Sequence, residues 1–169
     1  MSQAAASLLA PEHIAMVDKG VSTIVASRDA ALRPSLMRAV GSRITPDGSE
    51  ITVYLARSQS RQLLQDLAAT GQIAVVFSEP STHRTLQVKA SGVTGRAADE
   101  SDLPALQRYR ESMEWEICSI GHAAALVQAM LAFQLEDLVA ISFSPSAAFD
   151  QTPGPKAGRA LPSDACGPR

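Results

Sequence analysis

Within residues 57–61 the chain carries two arginines and two serines, Arg57-Ser58-Gln59-Ser60-Arg61. Residues 51–56 precede them, and there Ile51, Val53 and Leu55 alternate with Thr52, Tyr54 and Ala56, the period of a half-buried strand. After them Leu63, Leu64 and Leu67 recur at helical spacing, and Gly71 stands where a helix ends. The cluster therefore lies at a strand-to-helix junction. Ser58 or Ser60 is placed to cap the helix, and Arg61 falls in its first turn. The first N–H groups of a helix have no internal partner and carry partial positive charge. Two hydroxyls and a guanidinium beside them make a small phosphate site, and Arg57 adds a second charge. The same residues also suit a plainly capped helix with a solvated arginine.

Other side chains carry weaker signals. Arg38 lies on a mostly apolar strand, either as a rim charge reaching solvent or as a ligand contact. Trp115, the one tryptophan, packs in the core, at a dimer contact, or on a cofactor ring. Cys118 reads as a small buried residue, since no histidine is close to it in sequence. Cys118 and Cys166 form no metal or disulfide pattern, and His13, His83 and His122 are too scattered to suggest a metal site. His83-Arg84 falls in an interstrand loop that could overhang a ligand.

The elements that must position these groups follow from patterning. Residues 11–19 suit a short helix with Ile14, Met16 and Val17 inward, closed by Gly20. Strands are expected over 21–27, 32–42, 51–56, 73–77, 85–93 and 137–143, the last resuming at 147–149. Pro34 puts the second strand at an edge or bulge. Helices are expected at 61–70, at 103–117 with Leu106, Tyr109, Met113 and Ile117 on one face, and at 119–133. Short links make the sheet mostly antiparallel, and a small barrel manages its edges well. The expected layout is an N-terminal arm and helix over 1–20, a barrel over 21–149 and a Pro/Gly-rich tail over 150–169. That tail is either disordered or folded over the site, where Lys156 and Arg159 could meet an anion.

Bulk properties narrow the function classes. A chain of 169 residues with 46% hydrophobic and 19% charged residues can bury a core as one domain. A net charge of -2 with no basic cluster argues against nucleic acid as a partner. No apolar run reaches membrane-spanning length, and the first residues lack an export signal, so neither a membrane nor export is expected. A cytoplasmic setting is the default.

Residues 21–92 resemble the pyridoxamine 5'-phosphate oxidase-like family of FMN-binding split barrels. The matching pieces are ASRDAALRP, ITVYLA, SQSR, RQLLQDLAATG, QIAVVF and TLQVKASG, in order and at the family's spacing. The resemblance implies a mainly β, α+β fold: a six-stranded antiparallel split β-barrel with flanking helices. It implies a homodimer that binds FMN in a groove between subunits. Ser60 and Arg61 then face the FMN phosphate, with Ser58 and Arg57 alongside. Met37 and Arg38 lie along the isoalloxazine ring, Leu55 and Ala56 flank the ribityl chain, and Gln87 or Lys89 reaches the partner's flavin. Gln62 stands where the oxidase itself carries lysine, and the oxidase's C-terminal substrate segment has no counterpart. These departures argue against pyridoxamine phosphate as the substrate. The implied activity is an FMN-dependent oxidoreductase acting on a small molecule. The alternatives are a non-catalytic flavin- or haem-binding dimer and a barrel that has lost its cofactor.

Overall fold

A computed structural model describes residues 8–162. The expectations for residues 1–7, Cys166 and the end of the tail lie outside this range. Helix α1 (Pro11–Lys19) leads into strands β1 (Ser22–Arg28), β2 (Pro34–Arg38), β3 (Gly41–Ile44) and β4 (Ile51–Ala56). Helix α2 (Arg61–Thr70) follows, then β5 (Gln72–Ser78), β6 (Thr85–Ser91) and β7 (Thr94–Ala97). Helices α3 (Leu103–Ser119) and α4 (Ala124–Met130) precede β8 (Leu138–Phe143), β9 (Ala147–Asp150) and the short β10 (Arg159–Ala160).

The strands form two antiparallel sheets. One has the order β10-β9-β6-β5-β1-β2, the other β3-β4-β8-β7. Three of the six strands read from sequence change sheet part-way. Residues 32–42 divide into β2 and β3, residues 85–98 into β6 and β7, and residues 138–150 into β8 and β9. Gly92, at φ +83°, gives the second of these bends its backbone freedom. Pro34 begins β2, an edge strand of the larger sheet, where its missing N–H costs no ladder bond.

The main core fills the space between the sheets. Val25, Val75, Phe77 and Val88 from the larger sheet meet Ile51, Val53 and Leu55 from the smaller, with Leu63 and Leu67 of α2 packed against them. β1 and β5 alternate between buried and half-buried positions along their length. Each thus gives one row of side chains to the core and the other to the outer face of the larger sheet. β4 is buried on both faces, because α3 covers its far side through Leu106 and Ala105. Met16 and Val17 of α1 also enter the main core.

Two charge clusters fasten the helices. Lys19 Nζ donates to Glu79 at 2.6 Å and to Glu116 at 2.7 Å, while Ser81 N donates to the other Glu116 oxygen at 2.9 Å. These bonds tie the end of α1 and the β5–β6 loop to α3. Asp102 is fully buried ahead of α3, accepts from Tyr54 Oη at 2.8 Å, and takes a bidentate pair of 2.7 Å bonds from Arg96. Gly20 has φ +90°, and a Cβ there would lie 2.7 Å from the Tyr109 Cα, so α1 can end this close to α3 only on glycine.

Three expectations are corrected. The helix expected over 119–133 is only Ala124–Met130, because Gly121 at φ +94° breaks the chain after α3. Cys118 is exposed rather than buried. Trp115 is 62% exposed, with Lys19 Nζ 5.8 Å from its ring centroid, so it is not a core residue. The face Leu106, Tyr109, Met113 and Ile117 packs as expected, with Ile117 only partly buried. The tail turns back along β9, where Gly158 N donates to Asp150 O at 2.7 Å and Leu161 N to Ala148 O at 2.8 Å.

The hydrogen bonds from Arg96 hold the Asp102 carboxyl well below its ordinary 3.8 against the opposing effect of burial. A depressed carboxylate stabilises the fold above its unfolded value, and that stability is lost as pH falls below about 4. Asp102→Asn is expected to cost about 3 kcal/mol at pH 7, the low end for a broken buried pair because Arg96 stays partly exposed. The variant should also show a shallower loss of stability between about pH 4 and pH 2. Urea unfolding of both proteins across that range checks both effects.

Candidate functional site

The strand-to-helix junction forms where β4 leaves the smaller sheet. Gln59 N donates to Ala56 O at 3.2 Å and Ser60 N to Arg57 O at 3.3 Å, which turns the chain. Ser60 is the residue flanking α2, and its carbonyl accepts the first helical bond from Leu64 N at 2.9 Å. Its hydroxyl does not cap the helix, contrary to expectation. Ser60 is 2% exposed, and its Oγ has no hydrogen-bond partner among the described residues, a condition shared only with His13 Nδ1 and Tyr109 Oη. A buried hydroxyl left unpaired costs about 1–3 kcal/mol. Arg61 follows it at the start of α2, exposed and with no hydrogen bond or ion pair among the described residues.

Strand β2 lies along one flank of α2. Ser35 Oγ donates to Asp66 Oδ2 at 2.6 Å, and Gln62 Nε2 donates to Asp66 Oδ1 at 2.9 Å. Gln62, read as a missing cation, instead orients a carboxylate that joins helix to strand. Met37 is half-buried against the main core, whereas Arg38 points to the outer face and donates to Ser22 Oγ at 3.0 Å.

The opposite flank of α2 borders a cavity of about 620 Å³ lined by Arg57, Leu64, Ala68, Val93, Val139 and Ile141. Arg57 therefore stands across the helix from β2. Ser58 is committed elsewhere: its N–H donates to Asp137 Oδ1 at 3.0 Å and its Oγ to Asp137 Oδ2 at 2.5 Å. Asp137 was invisible as a partner in the sequence. Ala56 pairs with Leu138 across β4 and β8, so the residues just beyond that pair meet.

The remaining candidates fall in two places. Leu55 is buried in the main core and Ala56 in the cluster under α3, so both side chains are taken up by packing. Gln87 and Lys89 lie on the outer face of the larger sheet. Arg38, Ile24, Val76, Gln87 and Phe149 form one cross-strand row there, and Leu36, Ala26, Ala74, Lys89 and Ala147 form the next. Gln87 Oε1 accepts from Gln151 Nε2 at 3.2 Å, and Lys89 Nζ sits 5.0 Å from the Phe149 ring centroid. The structure thus brings Ser60 and Arg61 together and places Met37 on the neighbouring strand. It gathers Arg38, Gln87 and Lys89 on a separate open face. His83 is exposed at φ +62° in the β5–β6 loop.

No family model matches the chain, and no curated protein matches it in sequence. Solved structures do match. HupZ from Group A Streptococcus aligns over 89% of this chain and 99% of its own, with TM-score 0.53 and 13% identity. A candidate pyridoxamine 5'-phosphate oxidase from Lactobacillus delbrueckii aligns over 83% and 93%, with TM-score 0.51 and 13% identity. An F420 reductase aligns over 79% and 93%, with TM-score 0.53 and 14% identity. The chain has the fold of the pyridoxamine 5'-phosphate oxidase-like split barrels. Within that α+β fold the strands are shared between two antiparallel sheets, as described above. Among the described residues, no helix is long and apolar enough to cross a membrane.

Because the Ser60 hydroxyl is buried without a partner, removing it should help the ligand-free protein. Ser60→Ala is expected to raise unfolding stability by up to about 1 kcal/mol. A true cap would instead lose about 1 kcal/mol on the same change. Urea unfolding of the cofactor-free protein decides between the two signs.

Proposed function

We propose that the chain is an FMN-dependent oxidoreductase working as a two-fold dimer, with the FMN phosphate held at the start of α2. The observation that carries this reading is the buried Ser60 Oγ beside the exposed Arg61 guanidinium, neither with a partner among the described residues. A phosphate there would accept from the first free N–H groups of a ten-residue helix, from Arg61 and, once its side chain turns outward, from the Ser60 hydroxyl, donors with no competing partner among the described residues. The residues present therefore fit the group. FMN, when bound, supplies the redox chemistry, and the protein supplies binding and orientation.

This chain's own contributions follow from placement. Ser60 and Arg61 anchor the phosphate end. The Asp66 bridge to Ser35 fixes α2 against β2, so the anchor and the strand expected to lie along the ring keep one spacing. Arg38, held toward Ser22, presents a cation at the outer face, and Gln87 lies in its row.

The dimer reading rests on that outer face. Leu36 is 64% exposed at its edge, and Ile24, Val76 and Phe149 are only half-buried there. A second copy docking across the sheet would cover these residues and enclose a ring that one subunit leaves open. Such an obligate interface buries on the order of 2,000 Å² or more.

Arg61→Ala is expected to weaken FMN binding by about 1.5–3 kcal/mol, the usual worth of a hydrogen bond to a charged group. The fold should be unaffected, since Arg61 is exposed and outside the Leu63 and Leu67 packing. Fluorescence titration of the cofactor-free proteins with FMN measures the difference. Equal affinities would mean that the phosphate binds elsewhere.

A further inference from the structure

The cavity on the far flank of α2 is a slot. Leu64 and Ala68 of α2 form one side, and Gly95, Ala97, Val139 and Ile141 of β7 and β8 form the other. Register sets its two ends. Ala97 pairs with Val139, and Val139 with Leu55, so Arg57, two residues beyond Leu55, stands at the Ala97 end. At the other end Gly92 N donates to Gly71 O at 2.8 Å and ties the end of α2 to the bend before β7. The slot therefore runs along α2, whose ten residues span about 15 Å. Its volume is about 620 Å³, within the range of small-molecule sites, which form among other places at the mouths of barrels.

The space exists because two core rows end early. Val53 and Leu55 face the main core, and Ile141 and Val139 continue their rows across the smaller sheet. On β7 those rows end on Gly95 and Ala97, both exposed and too small to cover them. The lining is aliphatic: no aromatic ring, hydroxyl or carboxylate borders it, and its charged groups are Arg57 and Arg96. Arg96 is committed to its bidentate bond with Asp102. The Arg57 side chain is exposed and has no hydrogen bond or ion pair among the described residues. An aliphatic slot with a free guanidinium at one end suits an extended aliphatic chain that ends in an anion. None of the residues bordering it belongs to the outer rows of the larger sheet, so a second copy docked on that face meets other residues.

We infer that this slot binds a medium-chain aliphatic carboxylate, with its chain along α2 between Leu64, Val139 and Ile141 and its head at Arg57. The sequence grouped Arg57 with the phosphate site; its place on the wall of the slot gives it a different anion. The inference does not rest on FMN binding at Ser60.

The test uses octanoate, octanamide and acetate as probes. Each is titrated calorimetrically into the full chain, with and without saturating FMN, and the site is mapped by amide shifts. Octanoate is expected to bind at least tenfold tighter than octanamide, which lacks the charge, and than acetate, which lacks the chain. Shifts should fall at Ala68, Gly95 and Val139, and FMN should leave the affinity unchanged. Arg57→Gln should weaken octanoate about tenfold and leave octanamide unchanged. Ala68→Leu, which fills the slot from an exposed helix position, should weaken both. No octanoate binding, or octanoate binding no tighter than octanamide or acetate, would overturn the inference, and those comparisons need no variant to fold. Octanoate binding that either substitution leaves intact, that maps elsewhere, or that FMN displaces would overturn it as well.

Discussion

Three strands each cross from one sheet to the other, and the geometry of every site follows from that crossing. The bends after Arg38, at Gly92 and at residues 144–146 let one set of strands serve both sheets. Residues Val25, Val75, Val53 and Leu55 can then meet across a single core. The same bends leave the outer face of the β6-β5-β1-β2 region without a covering layer among the described residues, while the smaller sheet is backed by α3. An uncovered face of half-buried Ile24 and Val76, edged by an exposed Leu36, is costly in water unless something docks on it. Burial of the remaining faces is what makes this one available for function.

Helix α2 is the second consequence. It must cover the core with Leu63 and Leu67, and it is held sideways to β2 by the Ser35–Asp66–Gln62 bonds. That pose buries Ser60 at the helix start but leaves its hydroxyl without a donor or acceptor among the described residues. A neighbouring Asp137 satisfies Ser58 completely and does nothing for Ser60. A buried hydroxyl with no partner among the described residues is a local instability, and the exposed Arg61 beside it supplies a cation for an anion that would remove it.

Much of this was legible in the sequence. Alternation located β4 and β6, a β-branched run located β1 and a short apolar run β5, Gly71 marked the end of α2 with φ +65°, and Pro34 marked an edge. The face Leu106, Tyr109 and Met113 of α3 followed from helical spacing. The sheet crossings were less legible, because Ala39-Val40 carries no glycine or proline and its bend depends on which strands lie beside it. Contacts between distant residues were invisible for the same reason. Ser58 meets Asp137 only through the β4–β8 register, and Ser35 meets Asp66 only once α2 packs on β2. The split of the candidate residues between the helix start, the interior and the outer face could not be read from local pattern. Neither could the exposure of Cys118 and Trp115, since α3 runs past the core that its first turns pack against.

The most direct measurement is the flavin content of the purified protein. The chain is isolated, its visible spectrum recorded, and any chromophore released by heat and quantified against protein. The account predicts flavin absorbance and close to one FMN per chain, either as purified or after incubation with excess FMN and removal of the unbound fraction. A protein that stays colourless and retains no flavin after that incubation would contradict it.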